Sequence, residues 1–530
     1  GKAVEGASTL TQQLVKTMLL TSEKSASRKI KEAVISFKVE EKLTKQEILE
    51  RYLNQIFFGR GYYGVKTAAW GYFHKNLNEL TNKEAAMLMS LPKAPSFYDP
   101  VKNYAGCTER ANAIIARMRY LGWIDDAAFH TATSEQPKVY NDGLVYNKAP
   151  YAVETAINML KPMFPDVKTG GYRIDLTIDL ELQKAGDKAL LEQYDETKNS
   201  YKSGLDSFNG AFVVTEQASG DILALSGGVN YFKSPFNRAV QGKRQAGSSF
   251  KPFIYLAALD YGMTPNTILS DTPRSYTFGG KEWKPMNYDL KFEGAVTMRH
   301  ALTKSKNLAT IDIVERIGID KIRDKMVDFG FLNMPKELAI ALGTYTLSPY
   351  EMSEEYTIIS NNGVRVSQRL IKSIRDRNGK ITIYETKKTD MNDPEKVYQL
   401  IDIMQDVVKK GTGTKAQVPG VEIAGKTGTT NDYRDAWFCG FTPSVQAVVW
   451  FGNDNNQPLP KLTGGVIAAP VFAKIISTYL ELYPSSKREF IKPSGIIDDN
   501  TTIDENASKM NDAANLGTVT PLPSVQKGSF

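Results

Sequence analysis

Residues 244–259 constrain the fold of this chain most strongly, because a tight turn at Gly247 opens directly into an apolar helix. Side chains three residues apart lie on one face of a helix, about 5–6 Å apart at Cβ, so we expect Lys251 to reach the hydroxyl of Ser248. The first helical turn also favours a developing anion, through its free backbone N–H groups and the helix dipole. A lysine whose pKa is lowered by burial or by a second cation can take the serine proton. The spacing therefore predicts an activated nucleophile.

Two later elements distinguish this Ser-x-x-Lys from chance copies such as residues 90–93. Residues 305–307 read Ser-Lys-Asn, and residues 426–429 read Lys-Thr-Gly-Thr. Three elements in this order are typical of penicillin-binding proteins and class A β-lactamases, which have Ser-Asp-Asn in the middle. A second Lys-Thr-Gly, within residues 168–171, precedes the nucleophile and therefore has the wrong order. The chain resembles these serine acyl-enzymes in all three elements.

Composition and charge narrow the class of protein. With 530 residues, of which 42% are hydrophobic, the chain is long enough for two to four globular domains. The net charge of +7 is uneven, since residues 1–75 carry 13 Lys or Arg against 7 Glu and no Asp. That excess suits a lipid surface or a diphosphate, although a solvated charged face would give the same pattern. The two cysteines, Cys107 and Cys439, fall in different predicted domains, which indicates neither a disulfide framework nor a zinc site.

The longest apolar run is too interrupted to predict a membrane span. It covers residues 465–480 and is broken by Pro470 and Lys474. The chain begins with Gly1 and has no signal-peptide pattern, so we expect that an N-terminal part of the protein precedes it.

Residues 27–40 have the periodicity of an amphipathic helix. The predicted packed face consists of four apolar side chains: Ile30, Ala33, Val34 and Phe37. Glu32 lies about 200° round from Ile30, so it either pairs with Arg28 at the helix surface or faces a cleft. Just before this helix, residues 6–16 place small hydroxyl and amide side chains beside a lysine, which is also what a capping loop before a helix would contain.

Four early segments resemble, in order, the later motifs of the peptidoglycan glycosyltransferase domain of bifunctional class A penicillin-binding proteins: residues 6–16, 28–32, 48–54 and 64–75. Residues 83–95 continue the match, which covers nearly all of residues 1–130. The resemblance implies a mostly helical, lysozyme-like domain that polymerises lipid II, with Glu32 as the second essential glutamate. It also implies that Ser8, Thr9, Gln12 and Lys16 lie near the diphosphate, and that Arg28 and Lys29 bind the substrate as well.

The first motif of that family, a Glu-Asp pair followed by Phe and His, does not precede residue 6 in this sequence. It carries the principal catalytic glutamate, and general base catalysis needs a positioned carboxylate. We therefore expect residues 1–530 alone to lack lipid II polymerisation, and the full-length protein to have it.

The second half of the chain predicts an α/β domain. A strand at residues 172–179 leads into a helix from 180 to about 194, and the composition of residues 142–171 is that of a linker. Two hairpins are predicted, at residues 211–225 and 436–452, with the Lys-Thr-Gly strand beside the second. That strand should lie at an edge next to Ser248, where its backbone can pair with a peptide.

The predicted fold is therefore multidomain. It comprises an incomplete, mostly α, lysozyme-like glycosyltransferase domain (1–141), a small mixed linker region (142–200), an α/β transpeptidase domain of the penicillin-binding and β-lactamase type (201–483) and a polar tail (484–530).

The transpeptidase reaction implied by the resemblance to penicillin-binding proteins assigns roles to the residues of the three-element site. Ser248 attacks the carbonyl of D-Ala-D-Ala in a donor stem peptide, Lys251 takes the proton, and Ser305 relays it to the leaving amine. The N–H groups of Ser248 and Thr429 would form the oxyanion hole. Asn307 would orient Lys251 and the substrate amide. The terminal carboxylate would be held along the strand by Lys426, Thr427, Gly428 and Thr429.

The predicted function is peptidoglycan synthesis at the extracytoplasmic face of the bacterial inner membrane. The expected partners are lipid II, nascent peptidoglycan, β-lactams, and a membrane surface reached through the glycosyltransferase domain and an N-terminal anchor; we expect no nucleic acid. Transpeptidation needs no cofactor and no metal, and a divalent metal stays open for glycosyl transfer. A penicillin sensor or scaffold is the main alternative. A β-lactamase is less favoured, because of the chain's size and the lack of a suitably placed glutamate after Ser305.

Overall fold

The computed structural model describes residues 8–19, 26–141, 147–278, 281–430 and 432–495. It divides into two compact units, Gly1–Lys148 and Ala149–Phe530. The predicted linker of residues 142–200 is not a separate body from Ala149 onward, because its helices pack into the core of the second unit. The tail from residue 496 onward lies outside the described residues.

The first unit is helical in its described part. Its α-helices are α1 (Leu10–Leu19), α2 (Ala26–Lys42), α3 (Lys45–Gln55), α4 (Val65–Phe73), α5 (Asn82–Ser90), α6 (Tyr104–Tyr120) and α7 (Asp126–Ser134). Capping boxes begin α3 and α5, in which Thr44 pairs with Glu47 and Thr81 with Glu84. The core is built on large aromatic residues such as Tyr62 and Tyr72. The helical class predicted for this region is confirmed.

Helix α2 presents the opposite face to the one predicted. Ile30, Val34 and Phe37 are 66%, 52% and 74% exposed, whereas Glu32 and Ser36 are buried. The prediction of an apolar packed face is therefore wrong for the part of the unit that the structure describes. Periodicity reports which side of a helix is apolar, but it does not report what lies against that side.

The second unit contains ten α-helices among the described residues. They are α8 (Pro150–Leu160), α9 (Leu180–Ser200), α10 (Arg238–Gln241), α11 (Lys251–Asp260), α12 (Met298–Thr303), α13 (Asn307–Ile317), α14 (Ile319–Asp328), α15 (Pro349–Ser360), α16 (Pro394–Lys409) and α17 (Ala469–Leu482).

Its strands are β1 (Arg173–Leu176), β2 (Phe208–Glu216), β3 (Ile222–Ser226), β4 (Arg244–Gln245), β5 (Ile268–Asp271), β6 (Tyr276–Phe278), β7 (Lys281–Trp283), β8 (Gly294–Thr297), β9 (Thr346–Leu347), β10 (Val364–Val366), β11 (Ile371–Arg375), β12 (Ile381–Ile383), β13 (Lys388–Asp390), β14 (Ala424–Thr429), β15 (Asp435–Phe441) and β16 (Val445–Asn453). Strands β1, β11 and β12 form a small sheet, and the two-stranded pairs are β4–β9, β5–β8, β6–β7 and β10–β13.

The principal sheet has the order β14-β15-β16-β2-β3 and is antiparallel throughout. Alternate residues of β2 face opposite sides, so that Val213 packs with α11 and α15 while Phe212 packs with α9 and α17. Both predicted hairpins are confirmed and belong to this one sheet. The predicted edge position of the Lys-Thr-Gly strand is also confirmed, because β14 is the first strand in the order.

Helix α17, together with the single π-turn Gly464–Ala468 before it, is the one described segment long and apolar enough to cross a membrane. Half of its most apolar window is buried inside the unit. Phe472, Ile475 and Ile476 pack against the outer face of the sheet. Helix α17 is therefore placed as a core helix of the second unit.

Candidate active sites

Ser248 lies in a short 3₁₀-helix, Gly247–Phe250, that leads directly into α11. Gly247 has a φ of 54°, and a Cβ there would come within 2.9 Å of the Thr429 carbonyl oxygen. Only glycine allows both the left-handed backbone and this approach to β14. The turn thus places Ser248 beside the edge strand, as expected, but on a 3₁₀ turn rather than within the α-helix.

Lys251 is completely buried at the start of α11. Its Nζ donates to the Ser305 carbonyl oxygen at 2.7 Å and to Asn307 Oδ1 at 2.8 Å, while Ser305 Oγ lies 3.4 Å away. Burial, and then the nearby Lys426, lower the pKa of Lys251 well below its usual value. An amine in its neutral form has two N–H bonds for these two short contacts and a lone pair that can accept a proton.

Lys426 lies on β14 and is also buried. Its Nζ donates to Ser305 Oγ at 2.8 Å and to the Thr427 carbonyl oxygen at 3.1 Å. Burial lowers the pKa of Lys426 to about 7. Ser305 Oγ therefore lies between two lysines, which is the position that a proton relay requires.

Thr427 and Thr429, two further predicted residues of β14, line one cavity with Ser248, which we call the cleft. Thr427 Oγ1 lies 2.6 Å from Thr412 Oγ1, and Thr429 Oγ1 accepts from the Gly464 backbone N–H at 3.3 Å. At Gly428 a Cβ would come within 2.8 Å of the Ala246 carbonyl oxygen, so the absence of a side chain lets the nucleophile turn pack on the strand. The roles of these residues toward a carboxylate stay predictions.

The turn that carries Ser305 is strained and firmly held. Ser305 has a φ of 58°, which is uncommon outside glycine. The backbone N–H of Asn307, at the start of α13, donates to Asn287 Oδ1 at 2.7 Å. Asn307 Nδ2 donates to the Met286 carbonyl oxygen at 2.7 Å. The contact from Lys251 to Asn307 agrees with the orienting role predicted for Asn307, and Asn287 is a support that the sequence did not indicate.

Lys306, the middle residue of the second motif, points away from the cleft into a cluster of acids. Its Nζ lies 2.6 Å from Glu293, 2.9 Å from Asp289 and 3.8 Å from Asp271. Burial opposes its charge, but the hydrogen bonds that Lys306 donates to Glu293 and Asp289 outweigh that cost and raise the pKa of Lys306. The only sequence signal for this cluster is the presence of Lys where the β-lactamase motif has Asp.

Cys439 lies opposite Lys426 in the β14–β15 ladder and is fully buried. Burial raises the pKa of its thiol to about 12. Cys439 is therefore a neutral, packed neighbour of Lys426.

A cavity of about 430 Å³ opens over these groups. Ser248, Ser305 and Thr429 line its floor, and Trp283, Met286, Tyr288 and Leu290 line one wall. This cavity is the cleft that contains Ser248.

In the first unit, Glu32, Lys29 and Ser8 form a contiguous cluster. Lys29 Nζ pairs with Glu32 and donates to Ser8 Oγ at 2.9 Å. Glu32 is only 1% exposed, and its carbonyl oxygen accepts from Ser36 Oγ at 2.6 Å. Glu32 therefore points inward rather than lying at the helix surface, and Lys29 is its partner.

Two of the predicted diphosphate residues, Thr9 and Gln12, lie at the beginning of α1. Thr9 Oγ1 accepts from the Gln12 backbone N–H at 3.2 Å, and Gln12 Oε1 accepts from the Thr9 N–H at 3.2 Å. Lys16 is exposed on the last turn of the same helix. The side chain of Arg28 lies outside the described residues, so its predicted role stays a prediction.

Comparisons with known proteins cover both units. The family named Transglycosylase matches residues 1–119, and the family named Penicillin binding protein transpeptidase domain matches residues 210–477. The chain is 33% identical to penicillin-binding protein 1A of Neisseria flavescens, over 94% of this chain and 76% of that protein. It is also 33% identical to penicillin-binding protein 1A of Rickettsia felis, over 91% and 77%.

The fold agrees with these sequence matches. The crystal structure of penicillin-binding protein 1A from Haemophilus influenzae covers 92% of this chain and 90% of its own, with a TM-score of 0.70 and 25% identity. Both catalytic domains occur on this one chain, and its relatives match nearly its whole length. The chain therefore belongs to the bifunctional class A penicillin-binding proteins, which combine a peptidoglycan glycosyltransferase with a transpeptidase.

Proposed function

We propose that Ser248 is the acylated nucleophile of the transpeptidase, with Lys251 as its general base. The observation that carries this proposal is that Lys251 is completely buried and donates hydrogen bonds to Ser305 and Asn307, while burial lowers its pKa. The lone pair can then accept the Ser248 proton as Oγ attacks the donor carbonyl carbon.

The first half-reaction follows from the positions of the two lysines. The C–N bond of D-Ala-D-Ala breaks as the Ser248 ester forms, and the leaving amine takes a proton from Lys251 through Ser305 Oγ. Lys426 donates to that same hydroxyl and, when protonated, attracts the terminal carboxylate of the donor. The backbone N–H groups of Ser248 and Thr429 stabilise the oxyanion in this proposal.

The second half-reaction reverses these proton transfers. An amine from another stem peptide loses a proton to Lys251, attacks the ester carbonyl and releases Ser248 Oγ. Peptidoglycan is thereby cross-linked. No step requires a cofactor.

A fluorescent penicillin tests this assignment directly. Wild type should hold the label for hours, and Ser248→Ala should not be labelled. Label on Ser248→Ala would overturn the proposed nucleophile. Amine-dependent turnover of a D-Ala-D-Ala or a thioester substrate then separates a transpeptidase from a penicillin sensor, which would hold the label without transferring the acyl group.

For the first unit, we propose that the beginning of α1 and the Ser8–Lys29–Glu32 cluster bind the diphosphate side of a lipid-linked sugar substrate. Free N–H groups at a helix N-terminus favour phosphate oxygens, and Lys29 adds a positive charge beside them. In the full-length protein, Glu32→Gln and Lys29→Met should each reduce lipid II polymerisation, measured by the length of labelled glycan chains. Unchanged chain length in both variants would exclude this placement.

We further propose that this unit contacts the outer surface of the bacterial inner membrane. The support is the exposed stripe of Ile30, Val34 and Phe37 on α2. Exposed lysines of the same helix, including Lys31, Lys38 and Lys42, complement anionic lipid headgroups.

Co-sedimentation with anionic phospholipid vesicles tests this contact. Phe37→Ser should weaken binding about tenfold, because a buried phenylalanine contributes about 1.5–3 kcal/mol. Ile383→Ser, at a similarly exposed position in the second unit, is the matched control. Equal binding of Phe37→Ser and wild type would contradict the proposal.

A divalent metal for glycosyl transfer finds no protein site among the described residues, where no three His, Cys, Asp or Glu side chains lie together as ligands. We derive no step through a metal.

A further inference from the structure

A second cavity of the transpeptidase unit lies at the end of the principal sheet where β15 begins and β16 ends. Its volume is about 630 Å³, and β4 forms part of its wall. The loop of residues 430–435 separates it from the cleft, because Tyr433 lines the cleft and Arg434 lines the second cavity. Among the described residues, none lines both cavities. A group bound here is therefore distinct from a donor bound in the cleft.

Positive charge predominates in this second cavity, which we call the arginine pocket. Two carboxylates line it, those of Asp435 and Asp454. They face four cationic side chains: Arg238, Lys243, Arg244 and Arg434. Arg238 Nε donates to Asp454 at 2.6 Å, and Lys243 pairs with Glu351. The other two cations, Arg244 and Arg434, remain to attract an anion.

Arg244 is a largely buried cation whose hydrogen-bond acceptors are all uncharged. Its side chain is 13% exposed. It donates to the carbonyl oxygens of Asn453 at 2.8 Å and Asp454 at 3.4 Å, and to Asn456 Oδ1 at 3.2 Å. In the part of the chain that the structure describes, the nearest carboxylate oxygen belongs to Asp435 and lies 3.9 Å away, too far for a hydrogen bond. These bonds use three of the five guanidinium N–H groups, so two remain for a ligand.

Asn456 holds the two guanidiniums on one side of the arginine pocket. Its side-chain oxygen accepts from Arg244, and its carbonyl oxygen accepts from Arg434 Nη1 at 2.6 Å. Arg434 Nε also donates to Asp432 at 3.3 Å, but that carboxylate is 68% exposed, so water screens the pair. Adjacent planar guanidiniums with unused N–H groups match the oxygens of a carboxylate or a phosphate. The arginine pocket therefore has the chemistry of an oxyanion site.

The arginine pocket lies close to the nucleophile. Arg244 and Ser248 are four residues apart, so at most about 14 Å separates their Cα atoms. In the proposed function, each stem peptide that has not been cross-linked carries the terminal carboxylate of D-Ala-D-Ala. Peptidoglycan that presents one such peptide to the cleft brings neighbouring peptides with it. A peptide carboxylate is therefore the oxyanion available at this position.

We propose that the arginine pocket binds the terminal carboxylate of a second stem peptide, beside the donor, and thereby holds the transpeptidase on its polymer during turnover. The carboxylate pairs with Arg244 and Arg434 through N–H groups that are otherwise unused, and it relieves the cost of burying Arg244 without a counter-ion. The inference rests on the proposed function, since it assumes that the cleft takes a stem peptide as donor. No bond is made or broken in the arginine pocket.

Peptide binding to the benzylpenicillin-acylated protein tests this site, because the cleft is then already occupied. The probe is a fluorescent pentapeptide that ends in D-Ala-D-Ala, and fluorescence anisotropy compares its free acid with its C-terminal carboxamide. The free acid should bind at least about tenfold more tightly, since hydrogen bonds between charged groups are the stronger ones. Arg434→Gln should remove most of that difference, and Arg434→Lys, which keeps the charge, should retain part of it.

Arg377→Gln is the matched control, because it removes an exposed arginine that lines neither cavity. It should bind the free acid as wild type does. Benzylpenicillin should acylate Arg434→Gln at a rate within about twofold of wild type, which shows that the unit is folded.

Equal binding of the two peptides by wild type, or an undiminished preference in Arg434→Gln, would overturn the site. Stronger displacement of the probe by inorganic diphosphate than by unlabelled pentapeptide would also overturn it, in favour of a phosphate ligand. Failure of benzylpenicillin to acylate wild type would contradict Ser248 as the nucleophile instead, so the two failures are distinguishable.

Discussion

Two buried lysines lie on either side of the turn formed by residues 305–307, and their pKa values shift in opposite directions. On the cleft side, Lys251 has Lys426 as a neighbour and uncharged oxygens as hydrogen-bond partners, and its pKa is lowered. On the other side, Lys306 has carboxylates as partners, and its pKa is raised. Burial disfavours the ammonium at both sites. The difference shows that the partners decide whether a buried lysine is a base or a structural cation.

The largest expected effect comes from removing the neutral lysine. Lys251→Met should slow acylation by a penicillin by about a hundred- to ten thousand-fold, the range of a general base. Lys251→Arg should be similarly slow, because a guanidinium stays protonated. Stopped-flow acylation kinetics measure both. Near wild-type rates in Lys251→Arg would contradict the neutral-base assignment.

Replacing each lysine by methionine should change the free energy of unfolding much more at Lys306 than at Lys251. Lys306→Met leaves three carboxylates without their cation and should cost about 2–3 kcal/mol of unfolding free energy, less than a deeply buried pair because Asp289 and Glu293 are partly exposed. Lys251→Met should change it by less than about 1 kcal/mol, since no charge is left unpaired. Urea denaturation compares the two variants.

Lys306→Arg serves as the control, since it keeps the charge and should recover most of the stability. Equal destabilisation by the two methionine variants would show that both lysines are charged in the folded protein.

The pH dependence separates Lys426 from Lys251. Lys426 must be protonated to attract a carboxylate, and its pKa is about 7. Acylation by a penicillin should therefore decline above about pH 7, by up to tenfold per unit, because the ammonium loses its proton as the pH rises. In Lys426→Arg this alkaline decline should disappear, since arginine stays charged. A decline that persists in Lys426→Arg would assign it to another group.

Cys439 should give the smallest effect. Its thiol is buried and neutral, with a pKa of about 12, so it exerts no charge on Lys426 at working pH. Cys439→Ala should change the penicillin acylation rate by less than about threefold, and iodoacetamide at pH 8 should not modify Cys439 in the native protein. A change above tenfold would mean that Cys439 tunes the site.

The two sides of this turn were not equally visible in the sequence. The positions of Ser248, Lys251 and the edge strand β14 were predictable, because a short fixed spacing on a helix and a period-two pattern in a strand each determine which side chains lie close together. The partners of Lys306 were not, since Asp271, Asp289 and Glu293 come from loops and short strands whose paths have no periodic pattern.

The prediction of the packed face of helix α2 was wrong for a related reason. Its apolar period correctly predicted a helix, but Ile30 and Phe37 are exposed while Glu32 is buried. A hydrophobic stripe that meets lipid has the same pattern as one that meets protein, so the packed face could not be chosen from the sequence.

The edge position of β14 has a consequence for how drug resistance can evolve in such a protein. A substrate that pairs with β14 would be recognised by the backbone N–H and C=O groups of this strand. A side-chain substitution cannot remove those groups unless it also disturbs the pairing of β14 with β15. In the proposed mechanism the natural donor and a β-lactam both use those groups. Selection against the drug should therefore act on the side chains of the cleft wall, such as Met286, Tyr288 and Leu290, and leave residues 426–429 unchanged.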